Sequence, residues 1–326
     1  MNELVTSEPR VTVIVTFYNQ ERWVEQALDS VIGQTEQNFQ LLITDDGSID
    51  GTRDRIEAWQ TAHGKVGVVV GGGANRGLPS VLNKARPLIR GRYVVILNGD
   101  DWLEPNRFDD QALALDDLPN KVGLVYSDLR VVDESGAPTG DTFPPAIMPR
   151  PEGNLFLDVI AKTMIGMPCV MFRRSILDVI GPWDETLASD DFDFLLRVAG
   201  NGFEFSYLPK IVLNYRRYGG SLTGSRNARL ADDRIAALLK WSGRDAVTDR
   251  AILNRVQELA LALHSLRYDS PTTRRRLRYV LRRAPSRRVV RAVIESHLGI
   301  RAGRLSPRYW IQTLRRRRNL DNCRKE

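Results

Sequence analysis

The sequence is poor in cysteine and histidine. Its 326 residues include two cysteines, Cys169 and Cys323, and three histidines. The cysteines lie far apart and belong to no metal-spaced cluster, which argues against a disulfide-stabilised secreted domain and favours a reduced, cytoplasmic setting. His63, His264 and His297 show no ligand spacing, and we interpret them as surface or packing residues.

Long apolar runs are missing as well. The most apolar window, residues 155–172, is interrupted by Asp158 and Lys162 and is too polar for a membrane span. The first ten residues have neither a basic start nor an apolar core, so no signal peptide is predicted. We therefore expect a cytoplasmic protein. Its basic C-terminal region could also bind peripherally to the inner face of the cell membrane.

The overall composition is that of an ordinary globular protein, with 42% hydrophobic and 27% charged residues. The charge is unevenly distributed. Residues 1–269 contain 29 Lys and Arg against 37 Asp and Glu, or −8, whereas residues 270–326 contain 18 basic residues against 3 acidic ones, or +15. The net charge of +7 is therefore a property of the C-terminal tail.

Short apolar runs alternate with amphipathic segments in the first half of the chain. Predicted strands cover residues 11–17, 40–44, 66–70 and 94–97, and predicted helices cover about 21–34, 51–62 and 78–89. The continuous apolar character of these strands is typical of a sheet covered on both faces. Alternation at short intervals predicts right-handed βαβ units, and hence an α/β fold with a mostly parallel central sheet flanked by helices.

The pattern then becomes less regular. Further elements are predicted as a helix at 105–118, a strand at 122–132, a turn at 133–136, a helix at 154–165, a strand at 168–172, a helix at 174–180 and strands at 204–208 and 211–218. Residues 138–153 contain five prolines and no periodicity, which predicts a loop, and a loop beside a cleft is a candidate for contact with an acceptor. We expect one domain over residues 1–225 and a basic, all-helical extension over 226–326, with helices predicted at 232–241, 249–268, 272–283, 286–297 and 307–318.

Polar side chains follow three of the predicted strands. They are Thr16, Tyr18 and Asn19 after the first strand, Asp45 and Asp46 after the second, and Asn98, Asp100 and Asp101 after the fourth. Ligands of open α/β sheets bind at the carboxyl ends of the strands, where adjacent acids can hold a hard divalent cation that also binds phosphate oxygens. Asp45 and Asp46 alone are equally typical of a turn in which Asp bonds its own backbone, and for an isolated Gly-Asp-Asp such a turn is the better interpretation.

Five ordered blocks covering about residues 9–225 resemble the nucleotide-sugar-dependent glycosyltransferases of family 2, which have the GT-A fold. The blocks are TFYNQERWVEQALDSVIGQT, DDGSIDGT, NRGLPSVLNKA, ILNGDD, and WDETLASDDFDFLLRVA followed by YRRYGGSLT. The resemblance implies an inverting enzyme that moves a sugar from a nucleoside-diphosphate sugar, a UDP-sugar for preference, to a hydroxyl of a glycan or lipid-linked saccharide, for cell-surface or secreted polysaccharide synthesis. A polyprenyl-phosphate acceptor and a non-catalytic GT-A module with a weakened metal site are the alternatives.

The resemblance also implies a nucleotide site. Thr16, Tyr18 and Arg76 would flank the base and ribose, and Asp46 would contact the base. The family's Asp-x-Asp motif falls on residues 98–100, so Asn98 replaces the first acid; it can still bond a ribose hydroxyl but contributes no charge. From the residues alone, the Asp46 region could equally be an Asx turn and Arg76 a solvated surface charge.

A metal and diphosphate site is implied next to the nucleotide. Asp100 is the expected ligand of Mn²⁺ or Mg²⁺, which would bridge the two phosphates. Asp101 either orients this site or caps the following turn. Arg216 or Arg217 could bind the diphosphate. Tyr218 stands where many relatives carry His, and it could donate a hydrogen bond to phosphate but is a poor Mg²⁺ ligand.

The second acidic cluster supplies the expected general base. Asp191 has Phe194, Leu195 and Val198 at three, four and seven residues, which places it against the apolar side of a helix. The resemblance assigns to Asp191 the removal of the acceptor proton, in a single displacement with inversion. Asp190, in place of the usual Glu, is a candidate acceptor contact.

A plainer interpretation of this cluster remains. Ser189 can cap a helix whose first turn holds Asp190 and Asp191, as the helix dipole favours. Asp193 and Arg197 are predicted to form an ordinary surface pair at i,i+4.

The basic tail, residues 270–326, has three interpretations. Its Arg-rich helices carry apolar residues, namely Val289, Val290, Val293, Ile294, Tyr309, Trp310, Ile311 and Leu314. Such helices could lie on an anionic membrane surface. They could instead pack on the acidic catalytic domain or on a second subunit in an oligomer. Nucleic acid is disfavoured as a partner because no base-reading motif is present.

Overall fold

The computed structural model describes residues 8–162, 165–187, 191–219, 228–265, 271–283, 289–290 and 292–293. The chain divides into two compact units, residues 1–226 and 227–326. The first unit contains a nine-stranded sheet flanked by helices, and the described part of the second unit is helical.

The elements of the first unit follow the predicted alternation. The strands are β1 Val11–Phe17, β2 Phe39–Asp45, β3 Val68–Gly71, β4 Tyr93–Asn98, β5 Trp102–Leu103, β6 Val122–Val132, β7 Pro138–Phe143, β8 Val170–Arg173 and β9 Glu204–Arg216. Among the described residues of this unit, the helices are α1 Val24–Ile32, α2 Thr52–Ala62, α3 Leu78–Ala85, α4 Arg107–Asp116, α5 Phe156–Lys162, α6 Ser175–Ile180 and α7 Asp191–Gly200. Short 3-10 turns lie at Arg86–Leu88 and Met167–Cys169.

The sheet has the strand order β3-β2-β1-β4-β8-β6-β9-β5, and β7 pairs with β6 off this path. β1, β2, β3 and β4 run parallel to one another. β8 is antiparallel to both β4 and β6, whereas β9 is parallel to β6. The α/β class is confirmed, and the sheet is parallel in its first half and mixed in its second.

The core lies along the central strands. All seven residues of β1 are buried, as expected for a continuous apolar run with helices on both faces. The similar run at residues 66–70 does not become a buried strand. It forms β3 at the edge of the sheet, where Val68 is 50% exposed, because position in the sheet decides burial and the local pattern does not report that position.

Two predictions for the irregular half were wrong. Part of the proline-rich segment is strand β7, which pairs antiparallel with β6 through the predicted turn at 133–136. The strands predicted at 204–208 and 211–218 are one strand, β9, whose register with β6 shifts near Pro209. Its pairing with the long strand β6 continues across the irregularity, as at a β-bulge.

The remaining loop, residues 144–153, is held in place by Arg150. Its guanidinium binds the carboxylate of Asp128 at 2.9 and 3.1 Å and donates to the carbonyl oxygens of Pro144 and Pro145. The carboxylate of Glu152 accepts hydrogen bonds from β9. The segment interpreted as an acceptor loop is thus tied to β6 and β9.

The second unit contains α8 Ala228–Leu239, α9 Ala246–Ser265 and α10 Pro271–Arg283. Ala260, Leu277 and Ala292 form a buried cluster with Leu261 and Val293 packed against it. The helix predicted at 307–318 and most of the one at 286–297 lie outside the described residues. Among the helices that the structure describes, none is long and apolar enough to cross a membrane.

Candidate functional site

The ends of β1, β2 and β4 bring the three predicted polar clusters together. In the strand register Thr16 lies opposite Asn98, and Phe17 lies opposite Asp45. The amide of Gly99 donates to the carbonyl oxygen of Thr16 at 2.8 Å, which continues the β1–β4 pairing into the turn at 98–101. The clusters meet because parallel strands end at one rim of the sheet.

The turn at residues 98–101, which we call the Asn98–Asp101 turn, requires glycine at its second position. A Cβ on Gly99 would lie 2.1 Å from the ring of Phe17 and 2.8 Å from Oε1 of Gln20. No side chain fits there without displacing the ring. The turn is therefore packed directly on the last residue of β1 and on the segment that follows it.

The two acids that end β2 have different environments. Asp45 bonds its own loop, since its Oδ1 accepts hydrogen bonds from the amide and hydroxyl of Ser48, three residues further on. Asp46 binds the backbone of the next loop, accepting from the amide of Arg76 at 2.9 Å and from that of Gly77 at 2.8 Å. Asp45 thus bonds the backbone of its own turn, one residue further on than in an Asx turn, and Asp46 holds the loop that carries Arg76.

The other predicted nucleotide contacts lie on the same rim. Thr16 is buried and its hydroxyl donates to the carbonyl oxygen of Leu97. Tyr18 is 44% exposed, Asn98 is half-buried and Arg76 is exposed. No hydrogen bond or ion pair joins the Arg76 guanidinium to any side chain that the structure describes. Tyr18 and Arg76 thus present surface at the rim to a ligand.

Asp100 lies in a hydrogen-bonded, half-buried setting. The hydroxyl of Tyr218 donates to Asp100 Oδ2 at 3.2 Å, and the side chain of Gln20 also bonds this carboxylate. The Tyr218 ring packs against Trp23 with centroids 4.9 Å apart. Burial raises the pKa of Asp100, and the hydrogen bonds and the charge of Arg216 only partly offset it.

Asp101 is 1% exposed, and its Oδ1 accepts a hydrogen bond from the backbone amide of Arg216 at 2.8 Å. Burial, and next the negative charge of Asp100, raise the pKa of Asp101 well above its ordinary value. The side chain of Asn98 is close enough to offset part of this rise in the pKa of Asp101. No donor in the described part of the chain reaches Asp101 Oδ2 with hydrogen-bond geometry. Asp101 is thus tied to the end of β9.

These residues fit a hard cation. Asp100 and Asp101 are adjacent carboxylates with raised pKa values, and Asp101 has a buried oxygen without a hydrogen-bond donor. A divalent ion bound there would stabilise the ionised form of both side chains. Within the described residues, no three His, Cys, Asp or Glu side chains form a complete cage. A bound ion would need further oxygen ligands from water or from a phosphorylated substrate.

Arg216, a predicted diphosphate contact, is buried and bonded to the protein. It is 2% exposed, and each of its guanidinium nitrogens donates to the protein. The acceptors are the carbonyl oxygen of Asp100 at 2.9 Å, that of Glu134 at 2.6 Å and Oε1 of Gln26 at 2.6 Å. Arg217, by contrast, is exposed.

The second acidic cluster is only partly described. Asp191 is the first residue of α7 and is half-buried, whereas Ser189 and Asp190 lie outside the described residues. The predicted i,i+4 pair of Asp193 and Arg197 forms at 2.8 Å, but its predicted surface position was wrong, since Asp193 is 2% exposed. The Arg197 guanidinium also donates to two carbonyl oxygens near the end of α6, so this pair fastens α7 to α6.

Sequence reasoning missed several residues around Asp100 and Arg216. The side chain of Gln20 bonds Asp100, and that of Gln26 accepts a hydrogen bond from Arg216. The ring centroids of Trp23 and Trp102 lie 5.3 and 5.0 Å from Cζ of Arg216. Trp23 and Gln26 are three residues apart at the start of α1, a spacing that places them on one helix face. That spacing was visible in the sequence, but the partner of this face was not.

Comparison with known proteins gives one family. The model of glycosyl transferase family 2 matches residues 12–181. An uncharacterised glycosyltransferase of Rickettsia felis is 28% identical over 215 residues, which are 62% of this chain and 34% of that protein. The glycosyltransferase TuaG of Bacillus subtilis, named for teichuronic acid biosynthesis, is 26% identical over 67% of this chain and 83% of its own length. The chain spans about a third of the length of the Rickettsia relative.

Solved structures share the fold. S. aureus TarS 1–349 in complex with UDP-GlcNAc has a TM-score of 0.60 at 17% identity, covering 89% of this chain and 92% of that one. The mannosyltransferase PcManGT of Pyrobaculum calidifontis, in complex with GDP-Man and Mn²⁺, has a TM-score of 0.57 at 22% identity, covering 95% and 84%. At these identities the likeness establishes the GT-A fold.

Proposed function

The chain belongs to glycosyl transferase family 2, and we propose that it transfers a sugar, with inversion, from a UDP-sugar to a hydroxyl group of a glycan or lipid-linked saccharide. The observation that carries the proposal is the rim at the ends of β1, β2 and β4. There the Asp100 carboxylate, the buried Asp101 and the exposed Tyr18 and Arg76 lie on the sheet edge where such folds bind nucleotides.

The nucleotide would lie across this rim. Asp46 already binds the backbone of the Arg76 loop through one lone pair of each oxygen, which leaves further lone pairs for a donor N–H of the base. Thr16, Tyr18 and Arg76 flank the base and ribose, and the Asn98 amide bonds a ribose hydroxyl. Arg217, which is exposed, is better placed for the diphosphate than the buried Arg216.

Asp100 would hold a divalent cation, Mn²⁺ or Mg²⁺, with the remaining ligands supplied by the diphosphate and water. A cation bound there neutralises charge that develops on the leaving diphosphate. The ion would share the Asp100 carboxylate with the hydroxyl of Tyr218 and the side chain of Gln20. A donor complex with Mn²⁺ in the mannosyltransferase of the same fold supports this assignment.

The proton chemistry is assigned to Asp191, at the N-terminal end of α7. Its carboxylate accepts the proton of the acceptor hydroxyl as the acceptor oxygen forms its bond to the anomeric carbon. The bond from that carbon to the diphosphate oxygen breaks with its electron pair, and the nucleoside diphosphate leaves. One displacement inverts the anomeric centre, and no covalent sugar–enzyme intermediate is formed.

The donor and acceptor classes rest on the comparisons. UDP is chosen as the nucleotide because TarS, which shares the fold over 89% of this chain, binds UDP-GlcNAc. A polysaccharide acceptor is supported by TuaG, named for teichuronic acid biosynthesis, and by a chondroitin synthase of Escherichia coli that is 26% identical over 214 residues.

The second unit would bring the enzyme to an anionic membrane surface. The apolar side of α10 is packed inside the unit, with Leu277 and Val280 buried, whereas Arg275, Arg278 and Arg282 are exposed. Contact through this helix is therefore electrostatic, between guanidinium groups and lipid phosphates, without insertion of its apolar face.

Hydrolysis of a panel of nucleotide sugars tests the proposal. Many UDP-, GDP- and dTDP-sugars are offered with Mn²⁺ and with EDTA, and release of the nucleoside diphosphate is measured. We expect slow, Mn²⁺-dependent hydrolysis of one or a few UDP-sugars. Preference for another nucleotide overturns the donor assignment, and hydrolysis that EDTA leaves unchanged overturns the metal assignment.

A further inference from the structure

The geometry points to Arg216 as a positioning residue that holds the Asn98–Asp101 turn, and with it Asp100, in the conformation used for the metal and diphosphate. This inference rests on the proposed function for the identity of the ligand. Its structural part, that Arg216 fixes the turn, stands on contacts of the protein alone.

Arg216 grips the turn from two sides. Its backbone amide donates to Asp101 Oδ1 at 2.8 Å, and its guanidinium Nε donates to the carbonyl oxygen of Asp100 at 2.9 Å. One residue thus binds a side chain and a backbone group of consecutive turn residues. Rotation of the Asp100 peptide would break the second bond, and withdrawal of Asp101 would break the first.

The guanidinium also joins the turn to two other segments. Nη2 donates to Gln26 on α1, and Nη1 donates to the carbonyl oxygen of Glu134 in the turn between β6 and β7. The Asn98–Asp101 turn is therefore fixed relative to α1, to the hairpin and to the end of β9 at the same time.

The site demands the shape of arginine. The guanidinium lies close to the rings of Trp23 and Trp102, at 5.3 and 5.0 Å, and its planar fork sends three nitrogens to three separate acceptors. Lysine carries a compact charge that cannot reproduce three fixed directions or stack on an aromatic face in the same way. A lysine would keep the positive charge but could not make all three hydrogen bonds of the guanidinium.

The charge of Arg216 has a second consequence. It lies beside two carboxylates, Asp100 and Asp101, and attracts both. This attraction offsets part of the rise that burial causes in the pKa of each carboxylate. Direct contact between Arg216 and a diphosphate would require it to release acceptors that it now holds.

Arg173 provides a matched control at the other end of the sheet. It is also buried, donates to the carbonyl oxygens of Val122, Leu115 and Leu118, and lies over the ring of Tyr93 at 5.8 Å. It ends β8 beside the first residue of β4, whereas the Asn98–Asp101 turn follows the last. Arg173→Lys therefore removes a similar set of buried guanidinium hydrogen bonds far from the turn.

The test compares the full-length wild type, Arg216→Lys and Arg173→Lys by two measurements. Hydrogen–deuterium exchange of peptides covering residues 97–103 reports on the turn without any ligand. Titration with UDP, in Mn²⁺ and in EDTA, reports on the site. We expect Arg216→Lys to speed exchange in these peptides at least tenfold and to weaken the Mn²⁺-dependent UDP affinity at least tenfold, with metal-free UDP affinity within twofold of wild type.

Arg173→Lys should lower thermal stability but change neither the exchange of residues 97–103 nor the UDP titrations. Unchanged exchange of this turn in Arg216→Lys overturns the proposal, as does faster exchange with wild-type Mn²⁺-dependent affinity. An equal loss of UDP affinity in Mn²⁺ and in EDTA identifies Arg216 as a direct ligand and also overturns it. If the wild type itself gains no UDP affinity from Mn²⁺, the proposed function fails, and the exchange measurement still decides whether Arg216 holds the turn.

Discussion

Tyr218 donates the hydrogen of its phenol to Oδ2 of Asp100 across 3.2 Å. Burial, with the nearby charge of Asp100, raises the pKa of Tyr218, so the phenol remains a donor at neutral pH. The residue at the position where the family resemblance implies histidine is thus hydrogen-bonded to the expected metal ligand. We interpret the phenol as a group that orients this carboxylate.

Restoring histidine at this position tests that interpretation. In Tyr218→His the imidazole can bind the cation directly, so we expect Mn²⁺-dependent UDP affinity to rise by about tenfold, or about 1.4 kcal/mol. Tyr218→Phe removes only the hydrogen bond and should lower that affinity slightly. Titration calorimetry checks both, and a histidine variant no better than the phenylalanine variant would contradict the assignment.

Asp191→Asn addresses the general base. The amide keeps the shape of the carboxylate but cannot take a proton, so we expect kcat for sugar transfer to fall by about 10²- to 10⁴-fold. UDP affinity in Mn²⁺ should stay at the wild-type level, because the role proposed for Asp191 involves the acceptor and not the nucleotide. Asp178→Asn, on the exposed side of α6, is the control. Transfer that survives Asp191→Asn would place the base elsewhere.

A prediction of pH dependence follows from Arg10, which binds both Glu36 and Asp116 at 2.8 to 2.9 Å. Backbone hydrogen bonding and then Arg10 lower the pKa of Glu36. Burial acts to raise the pKa of Asp116, but its bonds to Tyr93 and Arg10 and the charge of Arg92 lower it. Lowered carboxylate pKa values stabilise the fold above the ordinary values of 4.5 and 3.8, and this contribution is lost as pH falls through the folded-state values.

Arg10→Met should therefore cost about 1 to 2 kcal/mol in the free energy of unfolding at pH 7, and progressively less below about pH 4. Urea unfolding across this range measures the difference. Arg53→Met, which removes an exposed i,i+4 pair with Glu57, should cost much less at any pH. A cost for Arg10→Met that does not shrink in acid would show that packing, and not the carboxylates, carries the effect.

The electrostatic surface of α10 can be tested with variants of equal charge. Changing Arg275, Arg278 and Arg282 to Gln should reduce binding to vesicles with anionic lipid at least tenfold, since each basic residue near such a surface contributes about 1 kcal/mol. The matched control changes Lys240, Arg244 and Arg250 to Gln, which removes the same charge from exposed positions elsewhere in the unit. Co-sedimentation measures both, and equal losses would indicate a nonspecific charge effect.

The sequence predicted those parts of the fold that local pattern determines. Continuous apolar runs identified β1, β2 and β4, and the parallel topology placed their polar ends on one rim. β7 was missed because its residues, PTGDTF, have no strand pattern of their own and pair only because the turn returns the chain to β6. The edge position of β3 was hidden for the same reason: neighbours in the sheet are set by the whole chain.

The site shows the same division. Asp100 and Asp101 were identified from their place after a strand. The hydrogen bonds of the Arg216 guanidinium could not be predicted, because their acceptors at residues 26, 100 and 134 are far apart in sequence. The burial of Asp193 was likewise invisible, because an i,i+4 pair has the same spacing on a surface and in a core. Local chemistry could be predicted from the sequence, and contacts between distant segments could not.

The central claim is that Asp100 binds a divalent cation that joins the enzyme to the diphosphate of UDP. Titration of UDP into the wild type and Asp100→Asn, each with Mn²⁺ and with EDTA, tests it most directly, with Asp54→Asn on the exposed side of α2 as the control. We predict that Mn²⁺ strengthens UDP binding at least tenfold in the wild type and the control and not at all in Asp100→Asn. A wild type indifferent to Mn²⁺, or an Asp100→Asn variant that keeps the full gain, would contradict the account.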